Sequence, residues 1–270
     1  MERGSFIILF ILCSYCLRGE SSFLPVDLKI DYLENPIGID NPNPRFTWRL
    51  DDNSIAAKQT AYRVILGKDS SQVINGKGNV WDLGKIISNQ QLVHYAGATL
   101  KPFTKYYWMV IIWNEKDHTS TSAVHSFETG MMHAANWQGS WISDGRDIHH
   151  KPAPYFRKQF EARKAIASAR VYIAAAGLYE LHVNGEKIGN QRLDPMYTRF
   201  DRRNLYVTHD VTTQLQQGEN AVGVILGNGW YNHQSLAVWN FDNAPWRNRP
   251  AFCLDLRITY TDGSVETIST

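Results

Sequence analysis

From residue 24 onward this chain shows no stretch of twelve or more residues with capped helical periodicity; its apolar residues recur at every second position over short runs. Phe46, Trp48 and Leu50 fall on one face of such a run, and Tyr179, Leu181 and Val183 on one face of another, with Glu180 and His182 opposite. Ala61–Leu66, Pro154–Phe160, Ala169–Ala174 and Asn220–Leu226 have the same β-rich character. Between the runs stand breakers: Asn35-Pro36, Asn41-Pro42 and Asn43-Pro44, then the Asn184-Gly185 hairpin signal and the Thr261-Asp262-Gly263 turn. A period of two, interrupted this often, predicts an all-β protein of short antiparallel strands. Thr212–Gln217 reads as a short helical turn ahead of a turn at Gly218.

A length of 270 residues predicts two domains of ordinary size, and 43% hydrophobic with 20% charged residues describes a globular chain. Residues 24–130 form the first domain. Its Leu100-Lys101-Pro102-Phe103-Thr104-Lys105-Tyr106 spacing resembles the tyrosine corner of fibronectin type III sandwiches, with Tyr106 bonding back to the backbone. Trp48 and Trp108 read as core residues. A boundary at Gly130–Ala135 opens a second domain, residues 131–270, expected to be a jelly-roll or galactose-binding-like β-sandwich left incomplete at its C-terminus.

Ahead of both, Arg3 and the apolar run Phe6–Leu12 read as a signal peptide over residues 1–22, with cleavage between Gly19 and Phe23. The apolar run is too short to span a membrane. Export to the periplasm or medium is expected, and lipid anchoring through Cys13 or Cys16 stays open, although neither follows the small residue of a usual lipobox. Of three cysteines only Cys253 lies in the mature region, so no intrachain disulfide is expected, and Cys253 reads as a strand residue. A net charge of +2 with scattered Lys and Arg gives no reason to expect nucleic acid. The nine His are dispersed, and the adjacent His149 and His150 would face opposite ways on a strand, so neither metal nor other cofactor is expected.

The residues most suited to chemistry follow the strand ending at Leu226-Gly227-Asn228-Gly229-Trp230-Tyr231. Two glycines permit a sharp turn, two aromatics follow, and Asn228, Asn232 and His233 supply amide and imidazole groups beside them. Trp239 and Trp246 bracket a loop in which aromatic and polar residues alternate. Sugars present apolar ring faces and hydroxyls, which such sets match. Asn228, Trp230, Tyr231, His233, Trp239 and Trp246 are therefore the candidate substrate-binding residues, with plugging of the sandwich core as the alternative for Trp230 and Tyr231. Asp194, Asp201 and Asp210 sit at turns and strand starts, where Asp bonds its own backbone, and are not expected to form a catalytic pair. Arg199, Arg202 and Arg203 around Asp201 read as a surface ion-pair cluster.

Several phrases together resemble the N-terminal region of bacterial α-L-rhamnosidases: Trp-Gln-Gly-Ser-Trp-Ile (137–142), Gly-Leu-Tyr-Glu-Leu-His-Val-Asn-Gly-Glu-Lys-Ile-Gly (177–189), Leu-Asp-Pro (193–195), Asp201 with Arg203, Leu205-Tyr206, Asp210-Val211-Thr212 and Leu-Gly-Asn-Gly-Trp-Tyr (226–231). The resemblance implies an exported glycosidase that removes terminal α-L-rhamnose from plant glycans or glycosides. It also implies a C-terminal helical (α/α)₆ catalytic barrel, using two carboxylates ~6.5–9.5 Å apart for inversion. No position here matches those carboxylates, so no catalytic residue is assigned. The expected partners are a rhamnose-containing glycan and the catalytic domain. The alternatives are a stand-alone carbohydrate-binding module and a surface adhesin.

Overall fold

The computed structural model describes residues 23–236 and 239–270; the signal peptide read at residues 1–22, with Cys13 and Cys16, lies outside the described residues, as does Val238 of the aromatic run. The first sandwich uses β1 (Leu24–Ile30), β2 (Arg45–Asp51), β3 (Gln59–Gly67), β4 (Trp81–Asp82), β5 (Ile86–Ile87), β6 (Leu92–His94), β7 (Lys105–Asn114), β8 (Thr119–Thr121) and β9 (His125–Glu128). A sheet ordered β1-β2-β6 packs on a sheet ordered β4-β3-β7-β8, in which β5 also pairs with β3 and β9 with β7. The alternation read in β2 places Phe46 and Trp48 in the core, where Phe46 meets Trp108 edge-on at 4.8 Å. Burying Trp48 requires a partner for its indole N–H, and the buried Gln59 accepts it at 2.8 Å. The Tyr106 hydroxyl accepts the Lys101 backbone N–H at 2.8 Å, which is the tyrosine corner expected from the spacing.

The one α-helix among the described residues, α1 (Ser70–Ile74), was not anticipated. It is too short for periodicity to register; its sequence cue is the cap residue Asp69, which accepts the Ser71 and Gln72 N–H groups. Thr212–Gln217, read as a helical turn, makes only a hydrogen-bonded turn between strands.

The second sandwich uses β10 (Tyr155–Ala162), β11 (Ile166–Ala176), β12 (Leu178–Val183), β13 (Glu186–Lys187), β14 (Tyr206–Asp210), β15 (Gly218–Gly227), β16 (Ala251–Tyr260) and β17 (Val265–Ser269). A sheet ordered β10-β15-β12-β13 faces one ordered β14-β11-β16-β17, and their inward rows form one apolar core. Asn184 and Gly185 join β12 to β13 with φ of 51° and 87°, the two positive angles a tight type I′ hairpin requires. The Trp137–Ile142 segment is fastened to β16. Asp255, 2% exposed, accepts the Gln138 and Gly139 N–H groups, both at 2.8 Å, although burial pushes its carboxyl pKa up.

The sandwiches are joined by polar and aromatic contacts. Arg170 on β11 grips Glu128 of the first sandwich through two hydrogen bonds of 2.7 and 2.8 Å and also reaches Asp210 at 2.7 Å. The Tyr206 hydroxyl donates to Asp40 at 2.8 Å and accepts the Met131 N–H at 3.0 Å. Phe103 meets Tyr172 edge-on at 5.4 Å.

Candidate functional site

β15 delivers the chain to one end of the second sandwich, where Gly229 takes φ of +50°. A side chain there would stand 3.0 Å from Leu178, so the positive angle and the close packing both call for glycine. The chain reverses, and the Asn232 N–H closes on the Asn228 carbonyl at 3.0 Å. Asn232 is completely buried; its amide donates to the Ile148 carbonyl at 3.0 Å and to the Asn228 side chain at 3.1 Å, while its oxygen accepts from Arg247 at 3.2 Å. Asn228 donates to the Lys151 carbonyl at 3.1 Å. Arg249, 4% exposed, forms a two-pronged pair with Asp144 at 2.6 and 3.0 Å and bonds the His150 carbonyl. That guanidinium holds the Asp144 carboxyl below the usual carboxylate range. Loops 144–152, 228–234 and 242–249 are thereby locked to one another, which gives a rigid base to whatever they carry.

Beside them, residues of these loops join Tyr197, Phe200, Trp239 and Phe241 in an aromatic surface. Trp230 and His233 stack nearly parallel, 5.6 Å apart at 9°. Phe241 is the hub, 5.3 Å from Trp230, 6.0 Å from Trp239, 6.3 Å from Trp246 and 5.9 Å from Tyr197. Tyr231 turns inward onto Phe200 at 5.2 Å, and burial raises its hydroxyl pKa. Trp239 is 76% exposed, Trp230 45% and Tyr197 47%, so several large rings face solvent in one patch. Two polar atoms within the cluster are buried without a hydrogen-bond partner: the Trp246 indole N–H and one Asp242 carboxylate oxygen. The patch thus presents ring faces to solvent above a donor and an acceptor that are buried without partners.

Five of the six candidate residues, Trp230, Tyr231, His233, Trp239 and Trp246, meet in this cluster through Phe241 and Phe200. Asn228 does not join them; its amide is engaged within the loop base. Phe241 lay inside the aromatic run without being singled out, and Tyr197 and Phe200 stand some thirty residues upstream, beyond the reach of any local spacing. Asp201 pairs with Arg199 at 2.8 Å, and Asp210 accepts the Thr212 N–H at 3.0 Å while pairing with Arg170. Among the described residues no group of three or more His, Cys, Asp or Glu is arranged to hold a metal ion, and no helix is long and apolar enough to cross a membrane.

Residues 25–133 match the Rha78A-like N-terminal immunoglobulin domain, and residues 164–270 match the α-L-rhamnosidase N-terminal domain. An α-L-rhamnosidase of Formosa agariphila is 31% identical over 279 aligned residues, covering 93% of this chain and 28% of that protein. The solved α-L-rhamnosidase of Dictyoglumus thermophilum superposes with a TM-score of 0.82 at 38% identity, over 93% of this chain and 29% of that one. A Streptomyces avermitilis α-L-rhamnosidase, solved in complex with L-rhamnose, shares the fold with a TM-score of 0.83 at 21% identity, over 92% of this chain and 40% of that one. The chain thus spans little more than a quarter of the length of the first curated relative it matches. With both domains matched in order, the chain belongs to the α-L-rhamnosidase family as its N-terminal region, an immunoglobulin-like sandwich followed by the rhamnosidase N-terminal sandwich.

Proposed function

We propose that this chain is the non-catalytic N-terminal part of an exported α-L-rhamnosidase that removes terminal α-L-rhamnose from plant glycans or glycosides. In this reading it supports a catalytic domain elsewhere in the polypeptide and offers the Trp230–Trp246 surface to sugar. The observation that carries the reading is the ordered match of both domain models to a chain spanning 28% of its first curated relative. Asp144, Asp201 and Asp210 are each paired with an arginine, which accords with catalysis residing elsewhere. The leader motif at residues 1–22 supports export, to the periplasm or the medium, with lipid anchoring at Cys13 or Cys16 as the variant form.

The exposed aromatic patch also favours a second reading, a carbohydrate-binding module that acts without a catalytic partner. Sugar contact is tested by titrating L-rhamnose against tryptophan fluorescence. A saturable change that Trp239→Ala reduces at least fivefold in affinity is expected; an unchanged spectrum to high millimolar sugar would remove the contact role and leave a scaffold.

A further inference from the structure

The outer face of the sheet β10-β15-β12-β13 is hollowed over its second strand. Antiparallel register sets Arg157, Gly223, His182 and Lys187 in one row across the sheet, and Tyr155, Ile225 and Glu180 in the next. With a glycine in the middle of its row, the side chains of β10 and β12 stand apart, and the hollow between them measures about 360 Å³. Neighbouring strands lie ~4.8 Å apart, so its two walls are roughly 10 Å from each other, room for one pyranose-sized ring. The volume falls within the ~300–1,000 Å³ range of small-ligand sites.

Nothing in the packing requires glycine at position 223. β15 pairs with both β10 and β12 in unbroken register there, so no bulge is present. The Gly223 φ lies outside the left-handed region. A Cβ would meet only the Phe156 carbonyl at 3.7 Å and the His182 Cβ at 3.8 Å, both ordinary contacts. Glycine weakens a strand interior, through backbone entropy and the packing it forgoes. With bulge, turn and clash absent, the use that remains for it is the close approach of another molecule to the sheet face.

The walls say what that molecule is. On one side Tyr155 is 77% exposed, and the exposed Arg157 guanidinium takes no ion pair or hydrogen bond among the described residues. On the other side Glu180 is shared between the Lys187 ammonium and the His182 ring, the latter at 2.9 Å. Glu180 and Lys187 offset each other, which leaves Arg157 as the uncompensated charge over the hollow. On β10 and β15 themselves the next acidic groups, Glu161 and Glu219, stand four residues further along, ~13 Å away. A guanidinium free to fork onto a carboxylate, an uncovered phenol ring and an imidazole–carboxylate pair suit a sugar that carries its own carboxylate.

We propose that this hollow binds a hexuronate residue of an acidic glycan, with its carboxylate on Arg157, its ring over Gly223 and its hydroxyls toward Glu180 and His182. The site is separate from the Trp230–Trp246 surface and depends neither on rhamnose binding nor on hydrolysis.

Isothermal titration calorimetry of the chain with a galacturonate tetramer, and with an uncharged galactose tetramer as control, tests it. Saturable binding of the acidic tetramer is expected, at least tenfold weaker in Arg157→Gln and in Gly223→Val and unchanged in Trp239→Ala. Gly223→Val fills the hollow without altering charge, and valine suits a strand better than glycine, so this variant should melt no lower than the wild type. No binding of the acidic tetramer, equal affinity for the uncharged one, or full affinity in Gly223→Val would each overturn the proposal. Should Gly223→Val melt below the wild type, Arg157→Gln, at an exposed position, decides: undiminished affinity overturns the site. A missing fluorescence response to L-rhamnose would fall on the Trp230–Trp246 reading alone.

Discussion

Asn228 stands beside two glycines and two aromatics, a setting that reads as a sugar contact, yet its amide is held by Lys151, Asn232 and Arg249. Nothing local declares this, because Lys151 and Arg249 reach it from distant parts of the chain. Tyr106 is the opposite case: its partner, the Lys101 N–H, is five residues away, so the spacing alone exposes the bond. His209 offers a titratable test at this scale. Its ring nitrogen lies 2.8 Å from the Tyr179 hydroxyl, and burial lowers its pKa from the ordinary 6.5 despite the attraction of Asp194. A depressed pKa means that the folded state disfavours the proton. The stability this contributes is present above pH 6.5 and is lost as pH falls through the lower, folded pKa. Thermal melts from pH 7.5 to 4.5 should therefore show a decline that His209→Gln reduces; parallel curves for the two proteins would contradict it.

Strands were legible because half-buried β-structure imposes a period of two that survives in β2, β10 and β12. α1 was not, since its five residues bury only Val73. The contacts between the sandwiches were equally hidden: Glu128 ends one strand and Arg170 lies in another domain, 42 residues later. Both are 14% exposed, so the pair is largely desolvated and its geometry is two-pronged. Arg170→Ala leaves Glu128 with only Lys105 at 3.8 Å. A loss of about 3 kcal/mol, or roughly 6–12 °C in Tm, is expected. The double variant Arg170→Leu with Glu128→Leu should lose less than the single one, because no lone buried charge remains. A single variant that melts with the wild type would show the contact to be idle.

For the molecule as a whole, two β-domains in series followed from turn spacing and from the two motifs, Leu100–Tyr106 and Asn184-Gly185, that each fix a corner. The aromatic surface was legible in part: Trp230, Trp239 and Trp246 lie near one another in sequence, whereas Tyr197 and Phe200 join them only through the fold. Catalysis is proposed to lie outside residues 1–270, and hydrolysis of an aryl α-L-rhamnoside tests this most directly. The full-length product of the gene should release L-rhamnose with inverted anomeric configuration, while the purified 270-residue chain should show no turnover above buffer. Clear turnover by the 270-residue chain, or none by the full-length protein, would contradict the account.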